Sequence, residues 1–171
     1  MALKISIERS VDVARVAELI NRVYADAEKG LWQPGTDRTD VAEVATIVRA
    51  GELGVARLDG DVVGVVRVRR LVGGEGEFGM LVASPEHRGS GIGRDLVAFA
   101  EGWARGAGSR VMQLELLVPR GWAHPVKEFL REWYTRLGYR EVRRDPFELA
   151  YPALQPRLAT ECDFVVYHKP L

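Results

Sequence analysis

Pro85-Glu86-His87-Arg88-Gly89-Ser90-Gly91-Ile92-Gly93-Arg94 is the stretch whose reading decides the fold. An apolar run, Leu81-Val82-Ala83-Ser84, comes before it and reads as a strand that Pro85 ends. A helical pattern comes after it and continues to about Arg105. Glycines between a strand and a helix let the backbone approach a ligand closely and expose amide N–H groups at the helix start. Those donors and the helix dipole favour an anion, above all a phosphate. Spacing separates this turn from the commoner phosphate loops. A dinucleotide fingerprint counted from Gly89 and Gly91 needs glycine at position 94, where Arg94 stands. A P-loop needs Lys and then Ser or Thr after its last glycine, whereas Arg94-Asp95 follow Gly93. A tight turn that binds nothing is the competing reading.

Outward from this turn the pattern alternates. On the N-terminal side, Leu53 to Leu58 and Val62 to Arg69 read as strands joined by Asp59-Gly60, a two-residue hairpin signal. A third strand runs from about Glu77 to Ser84. On the C-terminal side, Val111 to Val118 is almost wholly apolar apart from Gln113 and Glu115, as in a strand buried on both faces. Val126, Phe129, Leu130, Trp133 and Leu137 outline a helix that Gly138 closes. Tyr139 to Arg144 and Phe164 to Lys169 read as two last strands. Pro146, Pro152 and Pro156 argue against a continuous element between them. At the start, Val11 to Lys29 reads as a helix with Ser10 as its cap, and a second helix carries Val41, Val44, Ala45 and Val48. Asp40 and Glu43 have capping-box spacing. The expected order is helix, helix, hairpin, strand, helix, strand, helix, strand, strand. That order implies a mixed sheet with helices on both faces, within one domain spanning 1–171.

Composition narrows the function. Lys plus Arg and Asp plus Glu are both 24, so the formal net charge is zero. A nucleic-acid partner would call for a clearly basic face, and the local clusters Arg67, Arg69, Arg70 and Arg140, Arg143, Arg144 read as solvated strand ends. No apolar run approaches the ~20 residues of a membrane span. Cys162 is the only cysteine, which excludes an internal disulfide and fits a reducing compartment. Met1 to Ser10 lacks the apolar core of a signal peptide, so the expected location is cytoplasmic. His87, His124 and His168 lie far apart, and no metal site is expected. No Gly-x-Ser-x-Gly elbow is present.

Two motifs carry a resemblance to a known family. Arg88-Gly89-Ser90-Gly91-Ile92-Gly93 resembles the Arg/Gln-x-x-Gly-x-Gly/Ala signature of the GCN5-related N-acetyltransferase (GNAT) superfamily. Trp133-Tyr134-Thr135-Arg136-Leu137-Gly138-Tyr139 resembles its late-helix motif, and the element order fits over nearly the whole chain. The resemblance implies an α/β (α+β) fold with a mixed, mostly antiparallel central sheet, helices on both faces and a splayed strand pair at the cofactor site. It implies acetyl-coenzyme A as cosubstrate, no metal, and a small-molecule or peptide amine as acceptor. The pyrophosphate would lie on the turn Arg88, Gly89, Ser90, Gly91, Ile92, Gly93 and Arg94, and pantetheine would pair with Leu81, Val82 and Ala83. Lys127 departs from the family pattern, standing where an asparagine is common. Ala83 and Ser84 replace the usual Val and Asp.

Acyl transfer to an amine needs a deprotonated amine, a polarised carbonyl and a proton for the departing thiolate. Tyr134 matches the family's acid. Glu77 stands where some members place a glutamate that deprotonates the amine, and it is the favoured base. Glu115, flanked by Leu114 and Leu116, is the alternative. Each of the three could instead be structural. Acceptor selection falls to Lys29 to Arg38 with Trp32, and to Asp145 to Asp163 with Phe147 and Tyr151, with Trp122 to His124 as a third segment. A coenzyme A-binding module without turnover would need the glycine turn but neither Tyr134 nor a base. The acceptor's identity and the oligomeric state, a homodimer included, are left open.

Overall fold

Asp59 and Gly60 both take positive φ, 50° and 87°. This turn matches the right-handed twist of two antiparallel strands. It closes β2 (Leu53–Leu58) onto β3 (Asp61–Arg70). The computed structural model, which describes residues 2–171, extends this hairpin into a seven-stranded sheet of order β1-β2-β3-β4-β5-β7-β6. The other strands are β4 (Gly76–Ala83), β5 (Val111–Pro119), β6 (Arg140–Pro146) and β7 (Cys162–Pro170). β4 and β5 pair in parallel; the other five pairings are antiparallel.

Not expected from the sequence is β1 (Leu3–Ile7), which pairs with β2. Its Leu3, Ile5 and Ile7 alternate inward onto the core, but five residues are too short a run for alternation to stand out. The first helix is also shorter than expected. α1 spans Val13–Ala27, and Asp12 caps it by accepting from the Arg15 amide at 3.1 Å. α2 (Val41–Arg49) has its expected cap, Asp40 accepting from the Glu43 amide at 2.8 Å.

α1 and α2 cover one face of the sheet, packing Val16, Ile20, Val44 and Ile47 against Val55, Val65, Met80 and Val82. α3 (Ile92–Gly106) and α4 (Pro125–Arg136) cover the other, with Leu96, Ala100 and Tyr134 against Val66, Phe78, Met112 and Leu114. The proline-rich stretch before β7 holds only α5 (Phe147–Ala150) and one tight turn, Gln155–Arg157.

Two irregularities position the site. First, β4 and β5 are in register only at Gly76–Met112 and Glu77–Gln113, and beyond that they diverge. Second, the β3–β4 register shifts between Val65 and Arg67, and opposite that shift Met80 takes φ 48°. A non-glycine residue in this region opposite a register shift is the mark of a bulge. The extra residue reverses the side-chain alternation, so Phe78 and Leu81 both pack on the α3–α4 side.

Candidate active site

The glycine turn begins with one tight helical turn, Pro85–His87. Gly91 is the N-cap of α3 at φ 84°, a left-handed conformation that costs glycine little. The first helical hydrogen bond runs from the Asp95 amide to the Gly91 carbonyl at 3.0 Å. The amides of Ile92, Gly93 and Arg94 therefore precede the helical ladder and can serve an external acceptor. Arg88, Gly89 and Ser90 are exposed around them. Arg22 on α1 grips Glu86 with two bonds of 2.9 and 3.0 Å, which ties the turn to the first helix. The Ser84 hydroxyl, the Glu86 backbone N–H and Arg22 hold the Glu86 carboxyl down at about 2.

Tyr134 lies on α4 against the splay, only 5% exposed. Its ring meets Phe78 of β4 at 6.0 Å and Trp133 at 5.0 Å. Trp133 in turn lies 3.6 Å from where a Cβ on Gly93 would sit, so α4 abuts the glycine turn. Burial raises the Tyr134 hydroxyl well above its ordinary value, and Tyr24 adds to the rise. Tyr24 belongs to α1 on the opposite face of the sheet.

On the α1–α2 side, β4 and β5 present Glu77, Gln113 and Glu115, because Phe78, Met112, Leu114 and Leu116 turn the other way. Both Glu77 oxygens are occupied. Oε1 accepts from Arg69 at 2.6 and 2.9 Å, and Oε2 accepts from the Gln113 amide at 2.8 Å. Gln113 Oε1 then meets His168 Nε2 at 2.8 Å. Glu115 has a looser setting, with the Tyr151 hydroxyl donating at 3.4 Å. Burial and the neighbouring Glu77 charge push its carboxyl above the usual range, against the lowering pull of Tyr151, Arg69 and Arg143.

The segments expected to select the acceptor are stitched together. Trp32 bridges Leu158, the Gln33 amide donates to Arg157 O at 2.8 Å, and the Ala159 amide donates to Leu31 O at 2.9 Å. Trp122 donates to Thr160 at 3.2 Å, and His124 Nε2 meets Lys29 O at 2.9 Å, so the third segment joins both. Beneath them Lys127 of α4 donates to Glu28 at 2.7 Å, with both side chains almost wholly buried. Glu28 also accepts from the Trp32 indole at 3.0 Å.

The fold thus gathers the expected residues around one feature. Leu81, Val82 and Ala83 lie on the diverging part of β4, the glycine turn follows it, Tyr134 flanks one face, and Glu77 and Glu115 flank the other. The contacts of Arg69 and Gln113 with Glu77, and of Lys127 with Glu28, were not anticipated. Among the described residues, no group of three or more His, Cys, Asp or Glu could hold a metal ion, and no helix is long and apolar enough to cross a membrane.

A family model described as "Acetyltransferase (GNAT) family" matches residues 17–139, from the first helix to the end of the late-helix motif. The chain belongs to this family. Solved GNAT-like structures agree with that fold. The PaiA N-acetyltransferase of Thermoplasma acidophilum, solved with coenzyme A, is 14% identical with a TM-score of 0.73 and full coverage of both chains. N-acetylglutamate synthase of Neisseria gonorrhoeae, solved with coenzyme A and N-acetyl-glutamate, is 18% identical with a TM-score of 0.69; all of this chain matches 35% of that one. A Bacillus anthracis protein assigned as a streptothricin acetyltransferase, solved with acetyl coenzyme A, is 16% identical with a TM-score of 0.55. There 70% of this chain matches 61% of the other. No curated protein sequence matches the chain.

Proposed function

We propose that this GNAT chain acts as one domain and moves the acetyl group of acetyl-coenzyme A directly onto an amine. The observation that carries this reading is the divergence of β4 from β5 after Glu77. One end of the diverging strand leads into the anion-binding turn, Tyr134 flanks the gap from one face, and the two carboxylates flank it from the other. The pyrophosphate would sit on the amides of Ile92 to Arg94, and pantetheine would lie along β4. The amine nitrogen attacks the thioester carbonyl carbon and the C–S bond breaks. The ammonium proton passes to a carboxylate, and the leaving thiolate takes a proton from Tyr134. Desolvation disfavours a free thiolate inside the gap, so a proton donor there favours its departure. A covalent acetyl-cysteine is disfavoured, because Cys162 is fully buried and its thiol is pushed up to about 11 by that burial.

Glu115 suits the role of proton acceptor better than Glu77, which the sequence favoured. Both Glu77 oxygens already accept strong hydrogen bonds, whereas Glu115 is loosely held and has a raised proton affinity. Glu77 then acts through its charge, which makes Glu115 more basic. The wild-type pH–rate profile should lose kcat/KM as pH falls through the Glu115 pKa, above the usual carboxylate range. Glu115→Gln should remove that limb and lower the neutral rate by ~10²-fold or more. Glu77→Gln should move the limb to lower pH, since a charge that raises Glu115 is gone. If instead Glu77→Gln abolishes the limb and Glu115→Gln keeps it, Glu77 is the base.

The donor site has its own test. Valine at Gly91 would have to adopt a left-handed backbone, so that variant confounds binding with folding. Ser90 is exposed beside the free amides. Ser90→Glu puts a carboxylate where the pyrophosphate would lie and should weaken acetyl-coenzyme A by at least ~10-fold, more at low salt. Calorimetry giving wild-type affinity would remove the turn from the donor site.

A further inference from the structure

We infer that the preferred acceptor is a primary arylalkylamine that carries no carboxylate, bound with its ammonium at Glu115 and its ring against Tyr151. The inference rests on the acetyl-transfer reading above and deepens it. Its first support is charge pairing. Glu115 is half-buried, and among the described residues it has a weak hydroxyl partner but no ion pair. The two guanidinium groups that act on it are both committed. Arg69 is held by Glu77 at 2.6 Å, and Arg143 is held by Asp145 at 2.7 Å. An incoming ammonium therefore completes that open ion pair, while an incoming carboxylate would face Glu115 and Glu77 beside guanidinium groups whose charge is already paired with Glu77 and Asp145. A half-buried anion without a partner is costly, so amino acids should be rejected relative to the matching amines.

The second support is the aromatic wall beside Glu115. Tyr151 meets Phe164 at 5.1 Å in an edge-to-face arrangement and Phe147 at 5.8 Å. Tyr151 is 38% exposed, so part of its ring is open to a ligand. Its hydroxyl is the group that touches Glu115. A molecule whose ammonium reaches Glu115 therefore passes the Tyr151 ring, where an aryl group gains edge or offset stacking and the cation gains attraction to the ring face.

The test uses acetyl-coenzyme A with three probes, phenethylamine, phenylalanine and ethylamine, reading released thiol. Phenethylamine should exceed phenylalanine in kcat/KM by ~10-fold or more, the scale expected when one substrate lacks a charge partner. Tyr151→Ala should lower kcat/KM for phenethylamine by ~10-fold more than for ethylamine, mainly through KM, because both amines share any effect of the lost hydroxyl on Glu115 and only phenethylamine loses the ring contact. Equal or better turnover of phenylalanine overturns the inference, as does a Tyr151→Ala effect of the same size on both amines. Thiol release from none of the three probes also overturns it. In that case calorimetric binding of acetyl-coenzyme A keeps the donor site, and absence of binding removes the acetyl-transfer reading as well.

Discussion

Tyr134→Phe should lower kcat by ~10²–10⁴ while acetyl-coenzyme A affinity stays within a small factor of wild type. The substitution removes one oxygen and keeps the ring, so the packing against Phe78, Trp133 and Tyr139 persists. The hydroxyl sits at the edge of a buried gap, with its proton held far more tightly than in free tyrosine. It stays protonated over the whole working range, so the donor form is the one present. Removing it leaves the departing thiolate with neither a proton nor a hydrogen bond. The measurement is single-turnover acetyl transfer, which isolates the chemical step from product release. A wild-type single-turnover rate in the phenylalanine variant would reduce Tyr134 to packing.

Lys127→Ala should destabilise the protein by about 3–5 kcal/mol, the range for stripping a buried ion pair of one partner. Both charges are shielded from water, at 5% and 7% exposure. The alanine variant leaves the Glu28 carboxylate buried with only the Trp32 indole as donor. Urea unfolding should show a lower midpoint with an unchanged slope. The double variant Lys127→Met, Glu28→Gln should regain much of the loss, because glutamine still accepts from Trp32 and no charge is stranded. A loss below about 1 kcal/mol in the single variant would mean that water reaches the pair.

The contrast between what could and could not be read from the chain follows from range. Asp59-Gly60, the Asp40–Glu43 cap and the glycine turn are local devices whose chemistry lies within a few residues, and each is present in the fold as read. The Leu3–Ile7 strand was missed because a short alternating run carries little signal without its partner. The bulge at Met80 left no trace, since methionine has no special liking for a left-handed backbone and only the mismatch with β3 demands it. The site's polar wiring was hidden for another reason. Glu77 is joined to Gln113 and Glu28 to Lys127 across 36 and 99 residues, and only the sheet order brings them together. Tyr134 and Glu77 could be named from resemblance, and Glu115 from its place between Leu114 and Leu116 in an apolar strand. The proposed division of labour between the glutamates could not, because it rests on which oxygens Arg69 and Gln113 already occupy.

The stitching of Leu31–Gln33 to Arg157–Ala159 has a consequence for redesign. Two segments far apart in the chain share a backbone ladder and a common cluster of Leu31, Phe147 and Cys162. Neither can be exchanged alone without breaking main-chain hydrogen bonds that the other supplies. Grafting the first segment from a relative should leave both segments poorly ordered, whereas grafting both together should keep the ladder and, if they select the proposed acceptor, carry selectivity with it. New acceptor preferences in this scaffold would then arise in paired steps, with single-segment chimeras forming a valley between two working enzymes.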